Sequence, residues 1–187
     1  MAQSEENSTP ERAPNAPSGT PPASSPAPAS SPTTASVDAP LAVVQASVDD
    51  KGRLKLATEF IEYLEAIGVT RVFVTTMDLL MARIYPPEVW KVNETLFRKA
   101  GPKASAAARV AFRARVYGGE SDIDKSGRIL LPAKLREELK LEKQPVWLEA
   151  HNGAINVMNR AEYERRLQES NANAATDLPA LAEMGVV

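Results

Sequence analysis

Asp49 and Arg53 stand four residues apart with Gly52 between them, and Asp124 and Arg128 repeat the spacing around Gly127. An aspartate carboxylate can accept backbone N–H groups two residues on, and glycine supplies positive φ at the exit of a tight turn, so Asp-x-x-Gly reads as turn chemistry. The arginine that follows then projects from a hairpin or looped hinge. Its guanidinium has two uses: pairing with its own aspartate to stiffen the turn, or reaching phosphate oxygens or the O6/N7 edge of guanine bidentately. Asp49, Gly52, Asp124 and Gly127 are assigned to the turn, and Arg53 and Arg128 to nucleic-acid contact. Lys51 and Lys125 in the same turns, and Arg113 further along, are candidates for phosphate contacts.

Other chemistry is excluded by composition. The chain has no Cys and one His, His151, so disulfides, thiol nucleophiles and Cys-ligated zinc are out. No second imidazole or thiolate exists to complete a transition-metal site with His151, which reads as a turn residue. No Gly-rich phosphate loop is present, and a Ser-His-Asp arrangement would put its base on a hairpin turn. The expectation is a protein that is not an enzyme and uses no cofactor, metal or small-molecule substrate.

The elements that carry the two turns are themselves repeated. At an offset of 75, Val48-Asp49-Asp50-Lys51-Gly52-Arg53-Leu54-Lys55-Leu56 lies over Ile123-Asp124-Lys125-Ser126-Gly127-Arg128-Ile129-Leu130-Leu131. Phe60 then lies over Leu135 and Leu64 over Leu139, a helical apolar period in each copy. Pro132 opens a short helix in copy two. Val146 to Ala150 and Ala154 to Met158 flank His151-Asn152-Gly153, a hairpin signal, and Asn159 with Glu162 resembles a capping box for the last helix. Copy one runs in the same order, through strands near 71–76 and 84–85 to a helix entered by Pro86-Pro87. Val89, Val92 and Leu96 are its expected apolar face. Trp90 and Trp147 read as core or subunit-interface packing.

Each copy offers about four short strands and two short helices, too little to bury a core alone. The two must pair, joined by an Ala-rich helix from Ser105 to Val116. The expected organisation is an arm over 1–40, a first module over 45–92, a basic helical connector over 93–118, a second module over 119–166, and a flexible tail over 168–187. The arm holds 9 Pro, 8 Ser and 8 Ala and cannot bury enough apolar surface to offset ordering, so it is expected to be disordered. No secretory signal or membrane span is visible, and the expected location is cytoplasmic.

The net charge of -2 averages unlike parts. The arm and the tail each carry -3, which leaves +4 on residues 41–167. Six bases (Arg98, Lys99, Lys103, Arg109, Arg113, Arg115) fall between Thr95 and Gly119 with no acid among them. A positive face is what binding to phosphate requires.

Asp49 to Leu56 and Asp124 to Leu131 resemble the two Asp-x-x-x-Arg motifs of the MraZ family, whose members hold two SpoVT/AbrB-type modules in one chain. Gly127 to Arg136 is similar to that family's second module, and Tyr85-Pro86-Pro87-Glu88-Val89-Trp90 to its strand-to-helix junction. The resemblance covers about residues 45 to 166. It implies an α+β, β-rich fold in which tandem swapped-hairpin modules form a pseudo-symmetric β-barrel core with short flanking helices. It further implies a ring-like homo-oligomer on the nucleoid that binds repeated promoter sites in double-stranded DNA, with a division and cell-wall gene cluster as the usual target. The motif arginines carry over to Arg53 and Arg128, partnered by Asp49 and Asp124. Copy one departs from the pattern: Ala57 stands where copy two has Pro132, and Ile61 where copy two has Arg136. The rival expectation is an AbrB-like antitoxin, or an oligomeric scaffold whose DNA binding has decayed.

Overall fold

The computed structural model describes residues 38–186, so the arm lies outside the described residues except for its last three. The first repeat comprises β1 (Val44–Val48), β2 (Arg53–Lys55), α1 (Thr58–Ala66), β3 (Arg71–Thr75), β4 (Ala82–Tyr85) and α2 (Pro87–Arg98). After a 3-10 turn, α3 (Ala104–Tyr117) leads into the second repeat. This comprises β5 (Gly119–Asp122), β6 (Arg128–Leu130), α4 (Ala133–Glu138), β7 (Pro145–His151), β8 (Ala154–Met158) and α5 (Arg160–Ala182).

The strands form one antiparallel sheet in the order β5-β3-β4-β8-β7-β1-β2-β6. Its two ends approach each other, with Leu130 N donating to Ser121 Oγ at 2.8 Å, so the sheet is a nearly closed barrel. The order is symmetric between repeats: β1 pairs with β7 as β5 pairs with β3, while β2–β6 and β4–β8 are the two ladders each repeat makes with its own counterpart. The β3–β4 hairpin therefore lies against β5 of the other repeat, and β7–β8 against β1. This is the swapped-hairpin arrangement, in which each repeat completes the sheet of the other.

Alternation along the strands fills the barrel. Leu54, Leu56, Phe60 and Leu64 are buried, as are their counterparts Ile129, Leu131, Leu135 and Leu139. Val72 and Val74 on β3 answer to Val146 and Leu148 on β7. The hairpin at His151-Asn152-Gly153 has φ of 49° at Asn152 and 74° at Gly153, the positive-φ pair that a tight two-residue turn requires. Asn159 caps α5, its Oδ1 accepting from Glu162 N at 2.8 Å. The Glu162 side chain turns instead to Arg165 and Arg166, so only half of the reciprocal box forms.

Two expectations are corrected. Val92 and Leu96 are 58% and 60% exposed, and α2 instead turns Trp90 inward, 4.3 Å from Phe73 and 5.4 Å from Tyr85 between ring centroids. The aromatic ring buries more surface than the aliphatic stripe, so it decides which face of α2 docks. The last helix also continues to Ala182, well past the start of the expected tail.

Candidate nucleic-acid interface

Each Asp-x-x-Gly turn is built as its chemistry requires. Asp49 Oδ1 accepts from Lys51 N at 3.0 Å and Arg53 N at 2.9 Å, and Asp124 Oδ1 accepts from Ser126 N at 2.8 Å and Arg128 N at 2.9 Å. Gly52 and Gly127 have φ of 78° and 67°. The backbone N–H of Arg53 is the main reason the Asp49 carboxyl lies below the usual carboxylate range, with the Arg53 side chain next. The Asp124 carboxyl is lowered first by the backbone N–H of Arg128, and the charge of Arg53 from the other repeat contributes. Both aspartates are therefore ionised at neutral pH.

The turns are locked to each other by a symmetric pair of backbone bonds. Leu56 N donates to Gly127 O and Leu131 N to Gly52 O, each at 3.0 Å. The helix of each repeat covers the turn of the other, but with different residues. A Cβ on Gly52 would meet the Arg136 guanidinium, which bonds Leu131 O and Glu142, while a Cβ on Gly127 would lie 2.1 Å from Ile61 Cδ1. The departure of copy one at Ile61 thus fills the space over the second turn with an apolar side chain.

Between the turns runs the β2–β6 ribbon. Leu54 and Ile129 point into the barrel, so Arg53, Lys55, Arg128 and Leu130 point outward by alternation. The register sets Lys55 directly opposite Arg128 and Arg53 opposite Leu130. Like charges directly opposite each other on a sheet face are destabilising; here the Lys55 ammonium turns aside to the Ser126 carbonyl. Sequence reasoning missed Lys55, because Leu130 occupies its place in the other copy and the position does not look repeated.

The two arginines differ in freedom. Arg53 is clamped to Asp49 through Nε and Nη2, both at 2.8 Å. The Arg128 guanidinium makes no ion pair or side-chain hydrogen bond among the described residues. Lys51 and Lys125 are exposed on the two turns. Arg113 sits on α3, and its guanidinium serves the Met77 carbonyl in the β3–β4 loop. The structure brings the two turns and the ribbon together as one outward cationic surface, and places Arg113 on a separate element.

Comparison with known proteins supplies the remaining observation. A transcriptional regulator MraZ from Acidobacterium capsulatum is 31% identical over 139 residues, covering 74% of this chain and 94% of that protein. The chain belongs to the MraZ family. The family model described as "MraZ protein, putative antitoxin-like" matches residues 119–182, the second repeat from the start of β5 to the end of α5. MraZ regulators of Heliobacterium modesticaldum and Desulfitobacterium hafniense are similar at 35% over 140 and 33% over 138 residues, each covering 91% of the relative. Among the described residues no helix is long and apolar enough to cross a membrane.

Proposed function

We propose that this chain is a sequence-specific DNA-binding transcription regulator that acts in the cytoplasm, on the nucleoid, as a homo-oligomer bound to repeated promoter sites. The observation that carries this reading is the β2–β6 ribbon with its unpaired Arg128 and opposed Lys55. A two-stranded antiparallel ribbon fits the major groove of B-DNA, where arginine can read guanine bidentately. Two cations carried side by side on the outer face of one ribbon form a site that an anionic ligand can occupy. The family membership and the +4 charge of residues 41–167 point the same way.

In this reading Arg128 and Arg53 face base edges, and Lys51, Lys55 and Lys125 meet phosphates. Arg113 has part of its donor set spent on Met77 O, so what it adds is a sequence-independent phosphate contact. One chain offers too few base contacts for a specific site, and affinity comes from several subunits engaging repeated half-sites together. The promoter of a division and cell-wall gene cluster is the target we assign. Binding of purified protein to the DNA upstream of its own gene, against a scrambled fragment at equal salt, tests the proposal. Equal affinity for both fragments would leave an oligomeric scaffold or an antitoxin as the better reading.

A further inference from the structure

Two apolar surfaces have no cover within the described chain. On α3, Phe112 is 65% exposed and Val116 37%, and with Leu79 of the β3–β4 loop they line an open groove that includes Arg109. On α5, Leu167, Leu178 and Leu181 are 45%, 58% and 44% exposed. Their spacing, with Ala174 between, sets them along one face of the helix. The first turns of α5 are held by the barrel, through the Tyr163–Trp147 stack at 4.5 Å and the Arg166–Glu149 pair at 3.1 Å. From Leu167 to Val186 every residue is exposed. A helical segment of about fifteen residues without packing is marginal in water. Asn171, Asn173 and Pro179 lower its propensity further.

The charges of the two surfaces are opposite. The stretch from Thr95 to Gly119 carries six bases and no acid, whereas residues 168–187 carry Glu169, Asp177 and Glu183 and no base. Glu169 is taken up by Arg165, but Asp177, Glu183 and Arg109 form no ion pair among the described residues.

We propose that the outer half of α5 docks its leucine stripe into the α3 groove of a second copy, with Asp177 and Glu183 against that copy's basic connector. The occupant is a second copy because α5 runs unbroken from its cap at Asn159 to Ala182, packed on β7 and β8 and exposed beyond them. Reaching its own α3 would require breaking the helix. Each copy gives one helix and receives one, a head-to-tail contact that makes a ring if the rotation closes. The contact also supplies the cover that an isolated helix end lacks. It rests on the self-assembly named under the proposed function and says which surfaces make it.

Light scattering on the full chain and on the full-length variants Leu178→Asp/Leu181→Asp and Phe112→Asp tests the contact. Because the chain has no Cys, Phe112→Cys and Leu181→Cys can be made separately, mixed and oxidised. The expected result is an oligomer for the parent, an assembly midpoint raised more than about tenfold for both Asp variants with unchanged melting of the barrel, and a cross-link between the two Cys variants. Assembly weakens with added salt. An oligomer that persists unchanged in both Asp variants overturns the docking and leaves self-assembly standing. A monomeric parent overturns both. A cross-link formed within a single Phe112→Cys/Leu181→Cys chain shows the helix folding back on its own groove and also overturns the proposal.

Discussion

Leu54 and Ile129 face each other across the β2–β6 ladder, both buried, at the point where the two repeats meet. Everything outward of that pair is shared between repeats as well: the cations of one strand flank those of the other, and each turn is bonded to the opposite repeat.

The first prediction follows from this sharing. Expressed separately, residues 41–105 and 106–167 should aggregate or remain unfolded, since β1, β2, β3 and β4 each find a partner in the other half. Circular dichroism melts check this. Two soluble fragments, each melting cooperatively, would show that the halves are independent.

The second prediction concerns the turn glycines. Gly127→Ala places a Cβ against Ile61 at a φ of 67°, and should cost about 1–3 kcal/mol from the backbone conformation alone. Gly52→Ala, at a φ of 78°, carries the same backbone cost and must also push the Arg136 guanidinium away from Leu131 O and Glu142, so it should cost at least as much. Urea unfolding of the two variants gives the order, and a clearly smaller loss for Gly52→Ala would show that the guanidinium moves aside without losing its bonds.

The third prediction is a pH dependence. Hydrogen bonding from Arg165 holds the Glu162 carboxyl below its ordinary value of 4.5; burial opposes this and Arg166 reinforces it. A carboxyl with a depressed folded value contributes stability that is present above about pH 4.5 and lost as pH falls through the folded value. Glu162→Gln should therefore be clearly less stable than the parent at pH 7, and the gap should narrow below pH 4. A gap independent of pH would mean that Glu162 acts through packing alone.

Much of this was legible in the chain because turn chemistry is local. Asp49 and Gly52, Asp124 and Gly127, the His151-Asn152-Gly153 hairpin and the Asn159 cap are each decided by a few adjacent residues, and the 75-residue offset then joined the two copies. Three features were not legible, for related reasons. Val92 and Leu96 share α2 with Trp90 and Phe97, and periodicity alone does not say which stripe meets β3 and β4. Lys55 enters the cationic ribbon only through its register with Arg128, a pairing between strands 73 positions apart. The outer half of α5 carries Asn171, Asn173 and Pro179, all poor helix formers, so its composition reads as a tail although the helix runs through to Ala182.

The fourth prediction uses the asymmetry at Lys55 and Leu130. Lys55→Leu should lower the slope of log affinity against log salt by about one unit per engaged ribbon, and Leu130→Lys should raise it by a similar amount. Both positions are exposed, so melting should hardly change. Titrations at several salt concentrations check this, and slopes identical to the parent's would take the ribbon out of the DNA contact.

The most direct test of the account is the double substitution Arg53→Ala/Arg128→Ala, assayed by gel shift on the DNA upstream of the chain's own gene and by light scattering on the same sample. If these guanidiniums face base edges, specific binding is lost while oligomer size is unchanged and melting falls only by the small contribution of the half-buried Asp49–Arg53 pair. Binding that survives the double substitution at the parent's affinity would contradict the assignment of the ribbon as the DNA-reading surface.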